Sequence, residues 1–500
     1  MAFLRDWLRR FRERRHVRPW ALSAPVVVLL ISLPLLRPFR HPGTRATSDD
    51  EMARLATTQA LVEQKTWEIQ DTSFAATGAK VYRDGRFYSD QPPTMALLLA
   101  GPYWVLHRWG HTFETNPDVV AYLLTILGTT LPVAFATGLV YRMGRLFELQ
   151  RRWRAGLALA VVLGSGLISY ATALNSHAPA AALVLASAAC LIHVTITNER
   201  VHGSIWLIVA GACAALAAAF EPAAVIFLLL FGAVVLALRW TVAQRIGGLL
   251  VYLLGAAGPL MLHVSLVQRT TGNVWQGSGL AARHGHGAGA ADDAYADAHA
   301  VAASDAGATA TAPLETEFEP EQVSFWQSFG AGAGRVFAAF FGRHGVVSHF
   351  PVVLVGILGV TMVMHRHWPS TTKVLAAGTL VGGLVIILLY AFRARDWSQA
   401  MFATRWYVVF LPLTVFWVGV WLRRKHRPVS WVVASALLAF SVTVSILGAT
   451  GPLPPDGFGN AYTAAGAARN LLRGRHSAED RDLTDAATLA GATIRGRARE

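Results

Sequence analysis

Residues 19–36 read PWALSAPVVVLLISLPLL, and a short basic stretch separates them from Ser48-Asp49-Asp50-Glu51-Met52-Ala53-Arg54. The first segment is uncharged and long enough to cross a bilayer. The second places three carboxylates close to the surface where that run emerges. Carboxylates at such a position are costly unless they are solvated, paired or used. The pair therefore reads as a spanning helix that delivers acids to a membrane face.

The rest of the chain repeats the apolar half of this pattern. It has 500 residues, 54% of them hydrophobic, and a mean hydropathy of +0.41, too apolar for an ordinary soluble enzyme. Further spans are expected near 118–141, 155–173, 178–197, 203–219, 222–238, 246–267, 350–365, 373–392, 404–421 and 429–449. With the first, these make an all-α polytopic membrane protein of about eleven transmembrane helices. The segment 94–109 is apolar too, but if it spanned it would put Arg142, Arg145, Arg151, Arg152 and Arg154 outside, against the positive-inside tendency. It is read instead as an interfacial or re-entrant helix.

That choice puts Arg200, Arg239 with Arg245, Arg366 with Lys373, and Arg423-Arg424-Lys425 with Arg427 on the inner side. The N-terminus is then cytoplasmic and the C-terminus extracytoplasmic. The formal net charge of +14 accordingly suits anionic headgroups, and no nucleic-acid partner is expected.

The chain divides into a basic cytoplasmic N-terminus (1–18), a transmembrane domain (19–450) and an extracytoplasmic tail (451–500). Within the domain, external loops are expected at 37–117, carrying surface helices, and at 268–349. The second loop begins with a Gly/Ala/His/Asp-rich stretch and ends in an amphipathic helix over 325–341. The basic run from Arg5 to Arg18, with no small-residue cleavage site after the apolar segment, predicts a retained first span rather than a signal peptide. Cys190 and Cys213 both fall in apolar runs, which excludes a disulfide framework.

Ser48, Asp49 or Asp50 can cap a surface helix beginning near Met52. A carboxylate at a membrane face can also take a proton from an attacking hydroxyl. In that role Asp50 is the candidate base, Glu51 its orienting or acceptor-binding neighbour, and Asp49 a substitute. Arg393, Arg395 and Arg405 crowd one short external loop where topology does not favour positive charge. Guanidinium groups there suit a lipid phosphate, although an arginine at a helix end can also simply snorkel. Leu174-Asn175-Ser176-His177 and the Glu221-Pro222 turn are polar outward-facing points, each also explicable as a helix start. His284, His286, His344 and His349 lack a carboxylate at ligand spacing, so no metal site is assigned.

The stretch 48–54, with Gln59-Ala60-Leu61-Val62 after it, resembles the catalytic loop of the GT-C glycosyltransferases. This superfamily includes protein O-mannosyltransferases and lipid A aminoarabinose transferases. Tyr82-Arg83-Asp84-Gly85-Arg86-Phe87-Tyr88-Ser89-Asp90-Gln91-Pro92-Pro93 resembles a second motif of related bacterial enzymes, in which a lysine stands where Gln91 does. That lysine is associated with the lipid phosphate. The substitution shifts the contact to Gln91 itself, Arg86, Lys80 or Arg405. Phe402-Ala403-Thr404-Arg405-Trp406-Tyr407, ahead of Leu411-Pro412, resembles a Gly-X-Arg-Tyr segment of the same enzymes, and Asn175 and His177 replace an aspartate of the aminoarabinose branch.

The resemblance implies an inverting glycosyltransferase using a polyprenyl-phosphate sugar at the outer face of a bacterial inner membrane. Asp90, Tyr88, Asn175, His177 and Glu221 would line the acceptor or sugar pocket. No cofactor is required, a divalent cation is left open, and the acceptor is not specified. A lipid flippase or transporter, or an inactive GT-C-like protein, is the alternative.

Overall fold

The computed structural model describes residues 19–36, 48–197, 203–272, 325–342, 345–393 and 405–450. The apolar runs become helices. Helix α1 (Pro19–Ser32) ends in a 3-10 turn at Leu33–Leu35, and α2 (Asp49–Gln59) continues into one π turn over Ala60–Gln64. A short antiparallel hairpin follows, β1 (Lys80–Arg83) and β2 (Arg86–Ser89). Next come α3 (Pro93–Arg108), α4 (Pro117–Phe147), α5 (Arg151–Gly164), α6 (His177–Thr197), α7 (Gly203–Phe220), α8 (Val225–Leu236) and α9 (Val242–Thr270). The chain closes with α10 (Phe325–Phe341), α11 (Val352–Met364), α12 (Ser370–Arg393), α13 (Leu411–Leu422) and α14 (Pro428–Ala449).

Among the described residues, six helices are long and apolar enough to cross a membrane: α4, α6, α7, α9, α12 and α14. A seventh arises if the pair Gly332–His349 and Val352–Met364, bent by 95°, counts as one span. The expected eleven exceed this because several apolar runs are short or broken. The run at 155–173 stops at Gly164, and Gly166 then takes a left-handed φ of +77°. A Cβ at Gly166 would lie 2.4 Å from the ring of Phe350, so this break is fixed by packing as well as by backbone freedom. The run at 404–421 opens as a 3-10 turn at Arg405–Val409 before α13 begins.

The stretch 82–93 begins inside this hairpin and ends at the Pro92-Pro93 start of α3. Asp84 and Gly85 both have positive φ, 52° and 81°, as a two-residue hairpin turn requires. Arg83 donates to the carbonyls of Gln268 (3.1 Å) and Arg269 (3.4 Å), tying the hairpin to the C-terminal end of α9. Helix α3, 16 residues long, follows from Pro92-Pro93 and packs against α2 and α9. It leaves Leu98, Trp104 and Trp109 exposed on its outer side.

Two glycines let α7 and α9 touch backbone to backbone. A Cβ on Gly211 would fall 1.9 Å from the carbonyl oxygen of Tyr252, and one on Gly255 would fall 2.1 Å from that of Ile208. Gly211→Val is therefore expected to reach or exceed the upper end of the roughly 1–3 kcal/mol typical of overpacking. Gly247→Ala, on α9 with nothing within 4 Å of the added carbon, should be neutral. Thermal unfolding of the detergent-solubilised protein separates the two, and equal melting temperatures would refute the close-approach argument.

Candidate active site

Ser48 caps α2, its hydroxyl accepting from the Glu51 amide at 3.2 Å, so the capping reading of the acidic stretch is correct. The three acids then point to different partners, because successive residues on a helix are rotated by about 100°. Asp49 accepts from the Gly78 amide (2.6 Å) and, through its own carbonyl, from the Thr77 hydroxyl (2.8 Å). It anchors the turn before the hairpin. Glu51 is buried and faces the amide of Leu174 at 3.4 Å. Asp50 alone enters a cluster of charged side chains drawn from distant parts of the chain.

One oxygen of Asp50 pairs with Arg405 at 2.5 Å, and the other accepts from the Gln91 amide nitrogen at 2.8 Å. Gln91 reaches this point because it immediately precedes the Pro92-Pro93 start of α3. Its nitrogen also donates to Asp90 (2.8 Å), and its carbonyl accepts from Arg54 (2.7 Å). Arg54, one turn along α2 from Asp50, donates to the Asp50 backbone carbonyl (2.9 Å) and to Ser176 (3.2 Å). Its buried Nε–H has no acceptor among the described residues.

A second carboxylate completes the cluster. Glu221, at the junction of α7 and α8, has one oxygen 2.6 Å from His177 Nδ1 and the other accepting from the Tyr390 hydroxyl at 2.6 Å. Tyr390 stacks on Trp406, with ring centroids 4.5 Å apart and planes within 4°. Trp406 follows Arg405 in the chain, so the stack fixes the turn that presents the guanidinium.

Burial by itself would raise both carboxyl groups, but nearby cations outweigh it. Asp50 lies below the ordinary carboxylate range because Arg405 first, then Arg54 and His177, favour its charge. Glu221 lies below that range through His177, Tyr390 and Arg405. Burial likewise opposes the charge on Arg405, yet Asp50 and Glu221 raise it above its usual value. For Arg54 burial wins, and the net direction is downward.

The lowered carboxyl values fix a sign for stability. Folding holds Asp50 and Glu221 ionised, so their contribution is fully present above the ordinary carboxylate range and lost as pH falls through the folded values. The melting temperature of wild-type protein should thus drop progressively below about pH 4. A variant with both positions amidated should show a shallower drop, and parallel pH curves would contradict the assignment.

Other expected site residues lie differently. Asn175 does not project into the cluster. Its amide donates to the carbonyls of Tyr170 (2.6 Å) and Ala173 (2.8 Å), and its oxygen caps α6 at the Ala178 amide (2.9 Å). Arg86 pairs with Glu68 beside the exposed end of the hairpin, and Tyr88 bridges Glu68 within the same small sheet. Lys80 donates to the Ala75 carbonyl at 3.0 Å and lies over the Phe87 ring. Arg395, His284, His286 and His344, and the side chain of Arg393, lie outside the described residues. Among the described residues no group of three His, Cys, Asp or Glu side chains could hold a metal ion.

Two members of the cluster carried no role in the sequence reading. Arg54 had a signal, since it stands four residues after Asp50 and so on the same helix face. Tyr390 had none, being one tyrosine near the end of an apolar run.

No family model matches the chain, and no curated protein matches it. Solved structures do match. The apo oligosaccharyltransferase of Archaeoglobus fulgidus aligns with a TM-score of 0.48 and 11% identity, over 89% of this chain and 57% of that one. The same enzyme tethered to an acceptor peptide gives a TM-score of 0.47 and 12% identity, over 88% of this chain and 56% of that one. ArnT from Cupriavidus metallidurans bound to undecaprenyl phosphate gives 0.47 and 13%, over 86% of this chain and 69% of that one. The chain thus spans a little over half the length of the oligosaccharyltransferase.

Proposed function

We propose that the protein is a GT-C-like inverting glycosyltransferase that moves a sugar from a polyprenyl-phosphate carrier to an acceptor at the outer face of a bacterial inner membrane. The observation that carries this reading is the meeting of Asp50 and Arg405, 355 positions apart in sequence, in a 2.5 Å ion pair. Those are the two groups the chemistry needs, one to take a proton and one to receive a phosphate.

In this mechanism the carrier phosphate is held by Arg405 and by the buried Nε–H of Arg54. The acceptor hydroxyl gives its proton to Asp50 and attacks the anomeric carbon from the face opposite the phosphate. The new C–O bond forms as the bond from that carbon to the phosphate oxygen breaks, and the electron pair leaves on the phosphate. Negative charge grows there in the transition state, where two guanidinium groups stabilise it most. His177 and Glu221, beside Arg405, line the space for sugar or acceptor.

Incubating the purified protein with radiolabelled polyprenyl-phosphate sugars in liposomes tests this. Transfer of label to an acceptor supports the reading. Movement of intact lipid between leaflets without transfer supports a flippase instead, and neither activity supports an inactive relative.

A further inference from the structure

The ion pair poses a chemical difficulty that the cluster itself resolves. A carboxylate held by a guanidinium is a weak proton acceptor, because the same contact that fixes it also stabilises its charge. Arg405 is also the group that a carrier phosphate would engage. Its donors cannot fully serve a phosphate while one of them holds Asp50 at 2.5 Å.

We infer that a carrier phosphate and the Asp50 carboxylate compete for Arg405, so that donor binding frees Asp50 as a base while Gln91 keeps it in place. This rests on the glycosyltransferase reading above and names how the same site is switched on. Gln91 suits the task through the way its amide is committed. Its nitrogen donates to Asp50 and to Asp90, and its carbonyl accepts from Arg54. With both N–H groups committed to carboxylates, it has no donor left for a phosphate. It is a positioning residue that holds Asp50 by an oxygen Arg405 does not touch.

The charges in the cluster point the same way. Among the described residues Arg54 and Arg405 face Asp50, Glu221 and Asp90, with His177 beside them, so an arriving anion meets guanidinium groups already engaged by carboxylates. To engage Arg405 it must displace the carboxylate bound there. Asp50 is the carboxylate directly paired with Arg405, whereas the oxygens of Glu221 are already taken by His177 and Tyr390. Exchange at Asp50 therefore disturbs fewer bonds. The proton balance closes as well, since Asp50, relieved of Arg405, accepts the proton that the acceptor hydroxyl loses.

Binding of undecaprenyl phosphate to the full-length protein in detergent, measured by microscale thermophoresis, tests the exchange. Asp50→Asn removes the competitor and should tighten binding by at least about tenfold, equivalent to about 1.4 kcal/mol. Glu221→Gln removes an equal charge that does not bond Arg405 and should tighten it far less. Gln91→Leu leaves the donors of Arg405 in place and loosens Asp50, so it should change the affinity by no more than about threefold but lower kcat.

An unchanged affinity in Asp50→Asn, or equal gains in Asp50→Asn and Glu221→Gln, would overturn the competition. A large loss of affinity in Gln91→Leu would return Gln91 to the phosphate site and overturn its positioning role. Asp50→Ser gives the same reading should the asparagine variant not fold. Failure of the wild type to bind undecaprenyl phosphate at all would remove the carrier-lipid reading itself, an outcome distinct from these.

Discussion

Asp50→Asn should lower sugar transfer by about three orders of magnitude or more, within or beyond the roughly 10²–10⁴-fold expected for a lost general base, while leaving the protein folded and inserted. The amide is nearly isosteric with the carboxylate and can still accept a hydrogen bond from Gln91 or Arg405. It cannot take a proton from a hydroxyl. Arg405 keeps a counter-charge in Glu221, which favours its ionised form, so the structural cost is small beside the catalytic one. The measurement is initial rate together with size-exclusion behaviour and melting temperature. Wild-type rates in a folded Asp50→Asn protein would remove the base assignment.

Arg405→Gln should fail differently, losing both activity and stability. The side chains of Arg405 and Asp50 are only 12% and 22% exposed, and breaking one half of a buried pair costs about 3–5 kcal/mol because the other charge is stranded. Transfer should fall by a further 10²–10³-fold, roughly the loss for one transition-state donor. The two effects can be told apart by pH. Without Arg405, Asp50 loses the largest of the cations that hold its pKa down, so the variant loses less stability than wild type as pH falls through the carboxylate range. The gap in melting temperature should therefore narrow as pH falls below about pH 4. A gap that stays constant would mean that Arg405 supports the fold by some route other than this carboxylate.

Much of this site could be read in the sequence because its chemistry is written in charged residues placed where a bilayer makes charge expensive. Asp50 stood out as an acid just beyond an apolar run, and Arg405 as an arginine in an external loop. The structure joins them. Their separation of 355 positions meant that only the demand for a base and a phosphate donor in one place could pair them in advance.

What stayed hidden was decided by local geometry. Asn175 looked like a polar residue offered to a cavity, but two carbonyls and the first turn of α6 take up its amide. Gln91 was read as standing where a phosphate-binding lysine would be, and no sequence signal showed that its amide bonds Asp50, Asp90 and Arg54. The hairpin was signalled by Asp84-Gly85 between β-forming residues, a clue left unread in a stretch taken as a motif. Apolar composition also does not reveal where a helix is cut, so an expected span can be shorter or broken among the described residues. The cut at Gly166 depends on the ring of Phe350, which arrives from far along the chain.

The acidic triplet also has a consequence for how this region tolerates change. Its members are neighbours on paper but not in space, since each meets a different part of the molecule. Amidating the first would fray the loop ahead of the hairpin, the second would silence the chemistry, and the third would disturb how the surface helix seats on the strand of chain leading into α6. Three adjacent codons thus encode three unrelated traits, and a phenotype seen at one of them says nothing about the other two.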